Sequence, residues 1–262
     1  MRGFRSLCLL LLLSSGCSKF ELYDDSQPLP PLPLIETRNT VMQLPVGSDP
    51  RYAYYDKYIN AYADDYKTGI PIISTEVVAD DALKSVRATA IEILSANDGL
   101  RRAMALNGGL LVIVGEGEGV SDHIALNERV GSTTSMSDSG VCYFSSNINS
   151  DSDESVGAVA RLIYRAGLAD YDSLLYTAVS DAVDSAKSNG IFHADNSLSA
   201  TENTEAYFII GTEVWFGLWQ GHPSAGDGSY DIVSRTLMEA KDSALFNVLR
   251  QIYKEADIDP CN

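Results

Sequence analysis

This chain is poor in the residues that hydrolytic chemistry most often needs. It has three histidines in 262 residues, His123, His193 and His222, and no two of them stand four positions apart. No helix can therefore present two of them, one turn apart, to a single metal ion. No G-x-S-x-G sequence occurs, which removes the exposed serine elbow of the α/β-hydrolases. No C-x-x-C pair occurs, which removes the usual zinc and thiol-redox spacings. Basic residues are few, 19 Lys and Arg against 36 Asp and Glu, for a net charge of −17. Such a chain is repelled by phosphate backbones and by anionic lipid, so nucleic acid is excluded as a partner. No internal repeat is visible.

What is present begins at the N-terminus. Arg2 and Arg5 precede an apolar run from Leu7 to Leu13, followed by Ser14, Ser15, Gly16 and Cys17. This is the pattern of a signal peptide, with a hydrophobic stretch too short to span a bilayer. The small residues before Cys17 also resemble a bacterial lipobox, in which that cysteine is acylated and becomes the first residue of the mature chain. Several acyl chains on one residue hold a protein firmly to a membrane. Ser18 after the cysteine favours the outer membrane under the usual sorting pattern of such lipoproteins. Residues 1–16 are thus expected to be a lipoprotein signal peptide. Losing them removes Arg2 and Arg5 and takes the charge from −17 to −19. Residues 17–45 contain "PLPPLPL", which favours an extended, semi-rigid polyproline tether. Residues 46–262 are long enough for one well-cored domain.

Cys8 leaves with the signal peptide and Cys17 is the lipidation site, so Cys142 and Cys261 remain. In an oxidising envelope compartment these two are expected to form a disulfide. Closing a loop of that size restricts the unfolded chain by up to about 4–5 kcal/mol on the chain-entropy account.

Within the domain, the tyrosine-rich "DPRYAYYDKYINAY" (49–62) reads as a helix and "GIPIIST" (69–75) as a short strand with Pro71 at a sheet edge. Residues 78–97 carry Ala82, Leu83, Val86, Ala90, Ile91 and Leu94 at helical spacing, with Asp80 or Asp81 as a cap. A second short helix over 99–109 stops at Asn107 and Gly108. "GLLVIVGEGEG" (109–119) is a strand and then a turn; its two glutamates and the missing Lys-Ser/Thr argue against a phosphate loop. "VCYFSSN" (141–147) reads as another strand. Asn147, Asn149, Asp151 and Asp153 alternate like calcium ligands, but lack the turn glycine and closing glutamate of an EF-hand, and read better as a solvated loop leading into a helix. Helices then follow over 156–167, with a glycine stop, over 170–190, over 204–220 and over roughly 232–255. "IFHADNSLSATEN" between the middle two is a polar loop. Strands come first and helices later, so the expected class is α+β.

The helix "VGAVARLIYRAGL" (156–168) carries a resemblance. The order "GIPI", "NG", strand, this helix, then "SATENTEAYFIIGTEVWF" is similar to a family of secreted metallopeptidases, gluzincin-like and distantly related to the anthrax lethal factor catalytic domain. It implies a zincin-like fold with a small N-terminal sheet and a mainly helical second half. Members have a helix of the form V-H-E-F-A-H-x-I-H-x-x-G-L. Here Val156, Ala160, Ile163, Gly167 and Leu168 match that frame. Gly157 stands at the first zinc-binding histidine, Ala158 at the general-base glutamate, Arg161 at the second histidine and Tyr164 at a further one. On the following helix Ala206 and Ile210 hold the two glutamate places, and a one-residue slip puts Glu205 at a ligand place. Two histidines a turn apart and a carboxylate hold zinc, zinc lowers the pKa of its water to about 7, and the glutamate takes the proton. A guanidinium is a permanent cation and replaces none of these.

The resemblance therefore implies a degenerate, non-catalytic member with no metal and no cofactor, acting by binding a peptide or protein partner. Its vestigial cleft comprises Gly157, Ala158, Arg161, Tyr164, Glu205, Ala206, Ile210 and Glu213. Glu205 and Glu213, two turns apart, either form a carboxylate pair or rim an acidic cleft. Arg161 either turns inward onto one of them or lies on the surface. The alternative is an active hydrolase with a different site, using His193 or His222 and nearby acids.

Overall fold

Leu110–Val114 has no polar position because both of its faces are covered. It is the fourth strand of a five-stranded sheet, β1 (Met42–Gln43), β2 (Lys57–Ala61), β3 (Ile70–Ser74), β4 (Leu110–Val114) and β5 (Thr133–Ser137), in that spatial order. β1, β2 and β3 are antiparallel neighbours, while β3, β4 and β5 are parallel. Side chains alternate across such a sheet. Ile70, Ile72, Leu111 and Ile113 join the main core, and Ile73, Leu110, Val112 and Val114 join a second cluster on the opposite face with Tyr52, Tyr55 and Tyr58. The computed structural model describes residues 32, 39–48, 52, 54–61, 69–119, 133–137, 141, 154–219 and 229–253. Cys8, Cys17, Cys142, Cys261, His123, His222, most of the tether, the segment 142–147 and the calcium-like positions Asn147, Asn149, Asp151 and Asp153 lie outside the described residues.

The fold is mixed α and β, with the sheet in the first half and a largely helical second half. Helices also interrupt the sheet. α1 (Asp80–Leu94) and α2 (Asp98–Leu106) lie between β3 and β4, because two parallel neighbours need a crossover. α1 buries Ala82, Leu83, Val86, Ala90 and Leu94, as its spacing predicts, together with Ile93; Ile91 is only partly buried. Its aspartates are not caps. The N-cap position is Ala79 without a side-chain bond, and Asp80 instead pairs with the buried Lys57 at 2.8 Å. Lys57 Nζ also donates to the Val78 carbonyl, so one ammonium ties β2 to the start of α1. α2 is capped by the Asn97 side chain on Leu100 N–H and stops at Asn107 and Gly108, whose φ of 70° suits a glycine.

Two expectations about the first half are overturned. Residues 57–61 are a buried strand rather than part of a helix. Tyrosines and β-branched residues suit either state, and here the aromatic rings cover the far face of the sheet. Pro71 is not at an edge, since β3 is flanked on both sides. It sits opposite Asn60 of β2, one residue before the pairing with β4 begins at Ile72, so its missing N–H costs the β4 ladder nothing.

The second half starts with α3, an α-helix Glu154–Leu162 that continues through a π-helical turn, Ile163–Leu168, into Ala169–Tyr171. Gly167 does not stop it. A Cβ there would lie 2.6 Å from Met104 Cγ and 2.8 Å from Leu100 Cδ1, so the glycine lets α2 approach. α4 (Ser173–Ser188) is capped by Asp172 on Leu174 and Leu175 N–H. α5 (Ala200–Trp215) opens with a reciprocal capping box between Ser199 and Glu202. The intervening segment is not wholly loop. Phe192–His193 (β6) pairs with Ser229–Tyr230 (β7) in a short ribbon. The last expected helix is two: α6 (Arg235–Lys241) and α7 (Ser243–Tyr253). Asp242 between them is buried and accepts from Tyr207 Oη at 2.6 Å and Tyr230 Oη at 2.8 Å. Its other oxygen accepts from Leu245 N–H at 3.3 Å, so the break is also a cap.

Candidate functional site

α3 and α5 pack against each other, and Glu205, Ile209 and Glu213 of α5 are among the residues that meet α3. Four-residue spacing places these on one stripe of the helix. At one end, Gly157 faces Glu213. A Cβ on Gly157 would lie 2.7 Å from Glu213 Oε1 and 3.6 Å from Ile209 Cγ2. One turn along α3, Arg161 Nε donates to Glu205 Oε1 at 3.2 Å. One further turn along, Arg165 grips the same carboxylate with two bonds, Nε to Oε2 at 2.7 Å and one terminal nitrogen to Oε1 at 2.8 Å. The Glu205 side chain is 13% exposed, against 33% for Arg161 and 39% for Arg165. A planar guanidinium matches a carboxylate edge to edge, which fixes the geometry as well as the charge.

Arg161 therefore points at α5. Glu205 and Glu213 do not share one position. Eight residues apart, they are separated by about 12 Å along the helix, and each meets a different residue of α3. Ala158 is buried in the main core, and Ala206 and Ile210 are buried as well. Tyr164 is buried, with its ring 5.2 Å from that of Tyr176 and 5.7 Å from that of Phe208. Burial pushes its phenol above the ordinary range, helped by Tyr176 and Glu205.

Arg165 was not singled out from the sequence. The signal was available: two arginines four apart on a helix, and two helices later a glutamate at the head of the apolar run Ala206–Gly211. The π-helical turn begins two residues after Arg161 and contains Arg165, and such turns cluster at functional positions.

These residues do not suit the zinc of the resembling family. Gly157 has no side chain and Glu213 lies against its open face, while Arg161 is a cation bonded to the carboxylate that would have to ligate. Among the described residues no group of three His, Cys, Asp or Glu is placed to hold a metal ion. His193 Nε2 lies 3.5 Å from Asp231 Oδ2, with both side chains more than half exposed, so this pair is at the surface.

A separate crevice of about 500 Å³ opens at the carboxyl ends of β4 and β5, lined by the Gly115–Glu118 turn, Ser135, Ser137 and Glu154. Glu118 folds back to accept from Gly115 N–H at 2.7 Å, and Glu154 accepts from Ser137 N–H at 2.9 Å. Three glutamates on this rim make it hostile to phosphate, in line with the sequence argument. No helix among the described residues is long and apolar enough to cross a membrane. Comparison with family models, curated proteins and solved structures returns no match.

Proposed function

We propose that this protein is a non-catalytic binding domain of zincin-like descent, held in the bacterial envelope by acylation of Cys17 and acting by binding a peptide or protein partner. One observation carries the reading: the Arg161–Glu205–Arg165 cluster stands where the resemblance would have a histidine and a carboxylate sharing zinc. Fixed guanidinium charge in that position neutralises the carboxylate and repels a cation. Gly157 with Glu213 closed against it supports the same reading, because no imidazole fits there without displacing that carboxylate.

The reading is tested on the full-length protein purified without chelators. Metal analysis is expected to find no stoichiometric zinc, and a broad peptidase screen no turnover. One tightly held zinc per chain would end the proposal. Turnover that disappears in His193→Ala would favour instead a hydrolase built around His193 and Asp231. Metabolic labelling with a radioactive fatty acid tests the anchor, with label expected on the native chain and lost in Cys17→Ala.

A further inference from the structure

The arginine cluster has more donors than its carboxylate can use. Arg161 spends only Nε on Glu205, and neither of its terminal nitrogens meets an acceptor among the described residues. Arg165 spends Nε and one terminal nitrogen. Two permanent cations thus share one partly buried carboxylate. Glu202, a second carboxylate within electrostatic reach of Arg165, is bonded to the Ser199 backbone N–H at 2.7 Å and caps its own helix. Both arginine side chains are about one-third exposed, so their unused edges are partly desolvated and still reachable. Glu205 holds them in place before any ligand arrives, which lowers the ordering cost of binding. In a chain of net charge −17, such a preset pair of guanidinium edges is a local exception to the surface field.

We propose that Arg161 and Arg165 form an oxyanion site that takes a carboxylate. The unused donors of Arg161 and the remaining terminal nitrogen of Arg165 bind the ligand oxygens, while Glu205 stays on the inner edge as the positioning residue. This rests on the binding reading above and names the group that its ligand presents. A carboxylate comes from two sources, the free C-terminus of a peptide or an acidic side chain, and the chemistry of recognition is common to both.

The experiment follows the arginine Nε–H resonances of the full-length protein by NMR during titration with sodium acetate, with sodium chloride as the control at equal ionic strength. Saturable shifts of Arg161 and Arg165 are expected with acetate and not with chloride. In Arg161→Gln, which leaves the Arg165–Glu205 pair intact, affinity is expected to fall by roughly tenfold or more, as for loss of a charge-assisted bond. Arg161→Lys, which keeps charge without the fork, is expected to recover only part. Three short peptides then separate the sources: one with a free C-terminus and no acidic side chain, its C-terminally amidated twin, and an amidated peptide with one glutamate. Binding of either acid-bearing peptide over the amidated twin supports the site and names the source. Equal response to acetate and chloride, or peptide binding that maps away from α3 and is unchanged in Arg161→Gln, overturns the oxyanion site and leaves the binding reading standing. An acetate response in a protein that turns over peptides with bound zinc keeps the site and overturns that reading.

Discussion

Gly157 and Glu213 meet across the α3–α5 interface as surface and lid: a Cβ on Gly157 would come within 2.7 Å of Glu213 Oε1. The constraint here is one of space rather than backbone angle, since the glycine lies within a regular helix and a larger side chain must push the Glu213 carboxylate aside. Gly157→His is therefore expected to destabilise the fold by about 1–3 kcal/mol, the usual range for overpacking. The double variant Gly157→His, Glu213→Ala should recover part of that loss, because the space has been cleared. Urea unfolding of both chains checks it, and a fully additive pair would show that the two side chains do not compete for one volume.

Glu205 is bonded by both arginines, so the three side chains should be strongly non-additive. Glu205→Gln leaves two guanidinium groups facing each other with less to hold them. The expected cost is about 1–2 kcal/mol, discounted from the fully buried range because both arginines are about one-third exposed. Arg165→Ala should cost less, about 0.5–1 kcal/mol, since Arg161 remains on the carboxylate. A double-mutant cycle measures the coupling, and added salt should weaken it.

Asp242 accepts two buried phenols and caps α7. Asp242→Ala removes all three acceptor roles, and two buried hydroxyls left unsatisfied should cost about 2–5 kcal/mol together. Asp242→Asn keeps one acceptor oxygen and should lose less. Thermal unfolding of the two variants against the parent decides the order.

The same two phenols set an alkaline limit. Burial is the first cause, and the Asp242 charge the second, by which Tyr207 and Tyr230 are pushed well above the ordinary phenol range. A raised value in the folded state means that its stabilising share is complete below the unfolded phenol's value, about 10. That share drains away as pH rises above it, because only the unfolded chain can ionise. Stability should therefore decline above about pH 10, and phenolate absorbance should show a late set of tyrosines, Tyr207 and Tyr230 among them with Tyr55, Tyr164 and Tyr253, that ionise only on unfolding. Early titration of every tyrosine would contradict the buried bonds.

Much of this architecture was legible where local chemistry and tertiary fate agree. The apolar spacing of residues 82–94 gave α1 its buried face, and Asn107-Gly108 ended α2 through a backbone angle that glycine favours. The stretch LLVIV was a strand for a reason visible in the letters, since no polar position means no solvated face. Elsewhere the deciding fact was a distant neighbour. Lys57–Ala61 became a strand because β1 and β3 flank it, and Gly167 continued its helix because α2 packs there. Thr133–Ser137 was not recognised, because "TTSMS" has little apolar signal and is a strand through its pairing with β4. Arg161 stood at a noticed position, yet its partner was open, and Arg165 went unremarked. Charge pairing across two helices depends on rotation about each axis, which periodicity alone leaves undetermined.

The bond from Asp242 to Tyr207 reaches back 35 residues, and the one to Tyr230 reaches back 12. A nascent chain released as far as β7 carries both phenols but not the acceptor that satisfies them. Until the final two helices emerge, burying those hydroxyls is unfavourable, so the helical half gains its rigidity late and all at once. A premature stop before residue 242 should yield a soft, protease-sensitive product, however complete its first half.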